Sequence, residues 1–278
     1  MKDYLFLILM MLSLLFVLFG CSTVDDFPAK EGGSKAVIVF GFTPGPYSDQ
    51  VRQGIEPLLK EKGYTVKYVE FSTPNEPNFA LAEGSLDVNI FQHTAFFENF
   101  IEENQLDLIE TIKVPTAPMG IYSDHHDNLD HLQDGFTIAI PNDPANVARA
   151  LRVLEQVGWL ELKENYDPLT VSRQDIDSMI VNFSFVELEQ VQIPRAIPDV
   201  DFAVANGYTI IASNRELDSS LFLEDPPFEY QNLIAIRAED QDQPFIQDII
   251  EAYHTRDFQE VIESNKEFEG FHQPDYFK

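Results

Sequence analysis

The 278-residue chain has one cysteine, Cys21, and one tryptophan, and its 18 lysines and arginines stand against 47 aspartates and glutamates. A single cysteine excludes an internal disulfide and any zinc site built on several thiolates. The shortage of bases leaves a formal net charge of −29, which makes nucleic acid and anionic lipid headgroups poor partners. Signatures of catalysis are also missing. There is no Gly-x-Ser-x-Gly elbow, no His-Glu-x-x-His pair and no glycine-rich loop ending in Lys-Ser or Lys-Thr. With 47 acids in the chain, two neighbouring carboxylates carry almost no information about acid–base chemistry. Beyond one N-terminal stretch there is no further long hydrophobic run, no internal repeat and no low-complexity segment. Neither an enzyme nor a cofactor is indicated.

That N-terminal stretch, Leu5 to Phe19, has the length of a signal-peptide core rather than of a membrane span. It ends in Leu18-Phe19-Gly20-Cys21, which resembles a bacterial lipobox with a small residue before the cysteine. The expectation is a signal peptide over residues 1–20, lipid on Cys21, and a flexible tether over 21–35, which is polar and rich in helix breakers. Each buried methylene contributes about 0.8 kcal/mol and one acyl chain holds only marginally, so a diacylated, palmitate-bearing cysteine makes a stable anchor. The protein is then extracytoplasmic and lipid-anchored to the cell membrane. Its acidity suits a saline or alkaline habitat, in which a carboxylate-rich exterior stays hydrated.

The rest of the chain alternates between strand and helix signals. Ala36 to Phe42 is a continuous apolar run closed by Thr43-Pro44-Gly45-Pro46, the pattern of a buried parallel strand and a turn. A helix from near Ser48 to a cap at Gly63 follows, then a strand from Tyr64 to Phe71, a short helix from Asn78 to Glu83 and a strand from Leu86 to Phe91. This alternation predicts an α/β fold with a parallel sheet covered by helices. The pattern restarts with strands at Gly120 to Ser123 and Phe136 to Ile140, and with a helix that stops at Gly158. Two units in series imply two lobes. Lobe 1 is expected over 36–117 and 238–278, where the final helices pack, and lobe 2 over 118–237 with the hinge strands. A chain that crosses twice makes a hinge, and a hinge makes a cleft.

Two constellations face that cleft. Phe91-Gln92-His93-Thr94-Ala95-Phe96 joins the end of a strand to the start of a helix, and so sets two aromatics and a histidine at its edge. Arg149 follows Pro141-Asn142-Asp143-Pro144, in what reads as the first helical turn, where the helix dipole does not favour a cation. Binding an anion in the cleft is a better use for it. By contrast His125, His126 and His131 lack the spacing of a helical zinc pair and read as a solvated surface, so no metal is expected.

At these residues the chain resembles the methionine-binding lipoprotein family (MetQ/NlpA), the substrate-binding components of methionine ABC importers. The likeness rests on ordered blocks along nearly all of the mature chain. Among them are Thr43-Pro44-Gly45-Pro46, Pro77-Asn78-Phe79-Ala80-Leu81-Ala82-Glu83-Gly84, Phe91-Gln92-His93, Pro118-Met119-Gly120-Ile121-Tyr122-Ser123, Ala139-Ile140-Pro141-Asn142-Asp143-Pro144 and Gln192-Ile193-Pro194-Arg195-Ala196. The resemblance implies a two-lobed periplasmic-binding-protein fold of type II character, with a ligand cleft between lobes joined by hinge strands. It implies that Phe91, His93 and Phe96 contact the ligand, that Arg149 pairs with an amino acid carboxylate, and that Asn206 and Asn232 bond its amino and carboxylate ends. The expected ligand is L-methionine, D-methionine or a methionine dipeptide, and the expected partner is an ABC importer permease that receives it from a monomer. Pro74 departs from the family, which commonly has a tyrosine there, and this keeps the longer ligands in view. The rival is a surface lipoprotein that binds another apolar amino acid or a protein partner.

Overall fold

A strand covered on both faces needs no polar alternation, and the uninterrupted run VIVFGF accordingly forms strand β1, Val37–Phe42, almost wholly buried. The computed structural model describes residues 35–277, so the expected signal peptide, the lipidation site Cys21 and the tether up to residue 34 lie outside the described residues. Helix α1 follows the turn as Pro46–Gln50, a π-helical Val51–Ile55 and Glu56–Glu61. It starts two residues before Ser48 because Pro46 supplies the fixed φ of a first helical position and needs no N–H partner. Gly63, at φ 85°, turns the chain into β2, Thr65–Glu70. Next come α2 (Pro77–Ala82), β3 (Val88–Asn89), α3 (Thr94–Asn104) and β4 (Leu108–Lys113). β3 is shorter than the apolar run suggests, because the chain bends at Phe91 into the loop before α3.

The second group comprises β5 (Met119–Tyr122), β6 (Thr137–Pro141), α4 (Pro144–Gln156), β7 (Leu160–Leu162), β8 (Ile176–Met179) and β9 (Ser184–Leu188). It continues with α5 (Ile193–Ala196), β10 (Phe202–Asn206), α6 (Gly207–Ala212) and β11 (Phe222–Leu223). The chain then returns through β12 (Leu233–Arg237) to α7 (Pro244–Tyr253) and α8 (Arg256–Ser264).

Among the described residues these strands build two five-stranded sheets, ordered β2-β1-β3-β12-β4 and β11-β5-β10-β6-β9, and a small β7-β8 pair. The expected all-parallel sheets are corrected to mixed ones. β1 runs parallel to β2 and β3, but β12 is antiparallel to both β3 and β4. In the second sheet β6 is parallel to β9 and β10, whereas β5 runs against β10. A parallel direction is forced by a helical crossover on one sheet, and β12 has none: it arrives from the other sheet and enters the opposite way.

Each sheet is covered on both faces. Ile38, Phe40 and Ile234 pack with Ile55, Phe245 and Phe258 on one side of the first sheet, and Leu233 with Leu81 and Phe97 on the other. Helices α7 and α8 thus join the first core. Ile138, Leu151, Trp159 and Phe202 cover one face of the second sheet, and Ile193, Ile197 and Ala203 the other. A smaller cluster of Phe91, Ala95, Phe96, Ala145 and Tyr230 joins the two groups of elements. Burying one such large apolar side chain contributes roughly 1.5–3 kcal/mol. No helix of the described residues is long and apolar enough to cross a membrane.

Candidate functional site

The loop after β3 delivers His93 to the N-terminus of α3, where its Nδ1 accepts the Phe96 N–H at 3.2 Å. The hydrogen therefore resides on Nε2, which donates to Asn146 Oδ1 at 3.1 Å. Asn146 belongs to the first turn of α4, capped by Asp143, whose Oδ1 accepts the Asn146 backbone N–H at 3.0 Å and its side-chain Nδ2 at 2.9 Å. A carboxylate only accepts, so this contact fixes which way the Asn146 amide points. Its oxygen faces His93 and also takes a hydrogen from Asn206 Nδ2 at 2.7 Å. With its nitrogen engaged, buried Asn206 presents an Oδ1 that has no partner among the described residues, and buried Asn232 likewise presents a lone Nδ2. Buried polar atoms are normally satisfied, so this spare acceptor and spare donor are open to a polar group in the cleft.

Arg149 is only 2% exposed. It lies in the second turn of α4, not the first, because the helix begins at Pro144, and by that depth the dipole argument has faded. What holds it is Glu224, which follows β11 and is also buried. Glu224 Oε1 accepts from Arg149 Nε at 2.8 Å, from Arg149 Nη2, and from the Met119 backbone N–H at 2.7 Å. The guanidinium carbon is 5.2 Å from the centre of the Tyr230 ring, whose edge meets His93 at a centroid distance of 5.2 Å. Burial, and then the Arg149 charge, lower the His93 pKa to about 3 against the opposing hydrogen bond to Asn146, so His93 is a neutral donor at physiological pH. Burial likewise raises the phenols of Tyr47 and Tyr208, which stay protonated.

These groups line a cleft of about 340 Å³ that includes all six expected residues, Phe91, His93, Phe96, Arg149, Asn206 and Asn232. One wall is aromatic: Phe91 meets Phe96 edge to face at 6.2 Å, and Phe96 stacks on Phe100 at 5.9 Å. Pro74 lines the cleft as well, together with Tyr47, Asn146, Gln190 and Tyr208, which are additions to the expected set. Gln190 donates to Asp143 Oδ2 at 2.7 Å and accepts from the Tyr208 hydroxyl at 3.0 Å, which extends the polar network. Asn146 was open to discovery from its spacing, three residues after the capping Asp143. Nothing in Glu224-Asp225-Pro226-Pro227 marks Glu224.

The histidine group departs from a solvated surface. His125 and His131 are exposed, but His126 stacks between Phe136 at 5.0 Å and Phe202 at 4.8 Å, with Nε2 at 3.6 Å from Asp201 Oδ1. Its ring therefore serves the second core. Among the described residues no group of three or more histidine, cysteine or acidic side chains is placed to hold a metal ion.

The chain passes from the first sheet to the second over residues 114–118, returns over 224–232, and holds a buried polar cleft where the sheets meet. That combination defines the two-lobed binding-protein fold. Solved neighbours share it. A periplasmic substrate-binding protein of an ABC transporter from Coxiella burnetii superposes with a TM-score of 0.79 at 31% identity, covering 85% of this chain and 99% of its own. A nutrient binding protein from Burkholderia cenocepacia, solved bound to methionine, gives 0.77 at 32% identity, over 84% and 97%. The probable D-methionine-binding lipoprotein MetQ of Pasteurella multocida is 33% identical over 257 residues, 90% of this chain and 91% of its own. The chain belongs to the NlpA lipoprotein family, whose model matches residues 38–275.

Proposed function

We propose that this protein is an extracytoplasmic solute-binding lipoprotein that captures methionine or a close relative of it and delivers it to an ABC importer. The observation that carries the reading is the pair of unpartnered amide atoms beside Arg149, the acceptor Asn206 Oδ1 and the donor Asn232 Nδ2. A free amino acid has the complementary set: its carboxylate meets the guanidinium and Asn232, and its ammonium meets Asn206. A thioether sits well against the aromatic wall of Phe91 and Phe96. Relatives named for D-methionine binding and a neighbour solved with methionine support the same choice. Capture proceeds by closure of lobe 1 (36–117 and 238–278) on lobe 2 (118–237) about the two crossing segments. The protein acts as a monomer without cofactor or catalysis, and lipid on Cys21 keeps it at the membrane.

A second reading, a methionine dipeptide, is favoured by an outer hollow of about 570 Å³ that shares Pro74, Phe96 and Gln190 with the cleft. Its carboxylates Asp143 and Glu189 suit the ammonium of a dipeptide, which lies one residue further from the carboxylate than that of a free amino acid.

A thermal-shift panel of the twenty amino acids, D-methionine and methionine dipeptides tests both readings. Ligand at a thousandfold over its Kd adds about 4 kcal/mol, a rise on the order of 10 °C for a domain of this size. No shift with any member would favour a protein-binding lipoprotein instead. Arg149→Lys is the informative variant, expected to weaken binding at least about tenfold through loss of the planar fork. Arg149→Ala is less useful, since it strands the Glu224 carboxylate in the interior at a cost of about 3–5 kcal/mol of folding.

A further inference from the structure

We infer that Glu224 is a positioning and specificity-determining residue: it holds the Arg149 guanidinium by one edge and cancels its charge, so that the cleft selects a net-neutral zwitterion over an acid that lacks an ammonium. The inference rests on the reading of Arg149 as the carboxylate site. Both side chains are only 2% exposed, and Glu224 itself is not among the residues lining the cleft. It stands behind the arginine, gathering Nε, Nη2 and the Met119 N–H on one oxygen, a contact in which Nη1 takes no part. The other nearby cations are matched too. Lys113 pairs with Glu110 at 3.0 Å and Arg152 with Glu229 at 2.8 Å. His93, bonded to Asn146 and Phe96, is neutral. None of these cations is left unmatched, and Asp143, bonded to Asn146 and Gln190, adds a carboxylate beside the cleft.

A lone amide oxygen is a modest receptor for an ammonium, and Asn206 Oδ1 is such an oxygen, fully buried and unpartnered among the described residues. The carboxylate behind Arg149 supplies what it lacks. In a poorly solvated interior its field reaches the whole ligand, lowers the attraction for a bare anion and rewards a cationic group.

The test is calorimetry on the full protein and Glu224→Gln with three probes: methionine, 4-(methylsulfanyl)butanoic acid, which lacks the ammonium, and methioninamide, which lacks the carboxylate. Glutamine keeps an oxygen for Arg149 and Met119 but removes the charge. The expected result is that the affinity of the acid relative to methionine rises at least about tenfold in the variant, while that of methioninamide falls. A uniform loss across the three probes would mean a purely structural role and overturn the inference. A wild type that binds no methionine overturns the proposed function along with it, whereas a wild type that binds it, beside a variant of unchanged selectivity, overturns this inference alone. Should Glu224→Gln fail to fold, Glu224→Asp decides. It retains the charge, so all three affinities are expected to fall with their ratios kept within about threefold, and a collapse of selectivity there sinks the idea.

Discussion

His93 holds three structural duties on one ring: it caps α3, bonds Asn146 across the cleft and packs on Tyr230. The cap needs Nδ1 unprotonated, and this together with burial outweighs the bond to Asn146, which the charged form could also donate. In the unfolded chain this histidine takes up a proton below pH of about 6.5, while in the folded protein it resists protonation until about pH 3. The unfolded state therefore binds the extra proton between those values, and stability falls as pH drops through that window. From pH 6.5 to 5 the contribution is about 2 kcal/mol. Denaturant unfolding at both values should show wild type losing that much more than His93→Gln, and equal losses would mean that the ring is not buried neutral. The site was legible at this scale where short blocks carry its side chains, as with Phe91, His93, Phe96 and Arg149. Glu224 escaped because its contact spans 75 positions and joins a loop to a helix, which no local spacing encodes.

Helix α4 is the element that turns sequence into a site. Asp143 caps it and, through the same oxygen, orients the Asn146 amide on which His93 and Asn206 depend. Asp143→Ala is expected to cost about 1–2 kcal/mol of stability from the lost cap. It should also weaken methionine binding, because the amide is then free to rotate. Asp143→Asn retains an acceptor for the cap and should lose less than half as much. Denaturant melts read the first effect and calorimetry the second; an Asp143→Ala protein with wild-type affinity would show that the cap and the site are independent. Elements announced themselves in the sequence where apolar runs or helical periodicity were long, as in β1, α4 and α7. The stretch holding β7, β8 and β9 did not. These strands are short, partly exposed and lie at an edge or in a separate pair, so they have little apolar patterning to display.

For the whole molecule, the two-lobed plan was readable because strand and helix signals begin again after β4. The direction of β12 was not, since it depends on where the returning chain enters the first sheet rather than on any residue within the strand. A net charge of −29 is likewise a property of the whole, and its self-repulsion opposes the compact state. Raising salt from 0.05 M to 1 M shortens the screening length from more than 10 Å to about 3 Å. The melting temperature of the empty protein should therefore climb by several degrees; a flat or falling trend would show that the acids are already neutralised by local pairing. The shared oxygen of Asn146 has a bearing on how such receptors diversify. Because it ties His93 on one side to Asn206 on the other, a substitution there disturbs both partners at once, whereas Phe91, Phe96 and Pro74 line the cleft with apolar surface alone. Descendants that acquire new nutrients are thus constrained to keep the polar knot and to experiment along the hydrophobic wall.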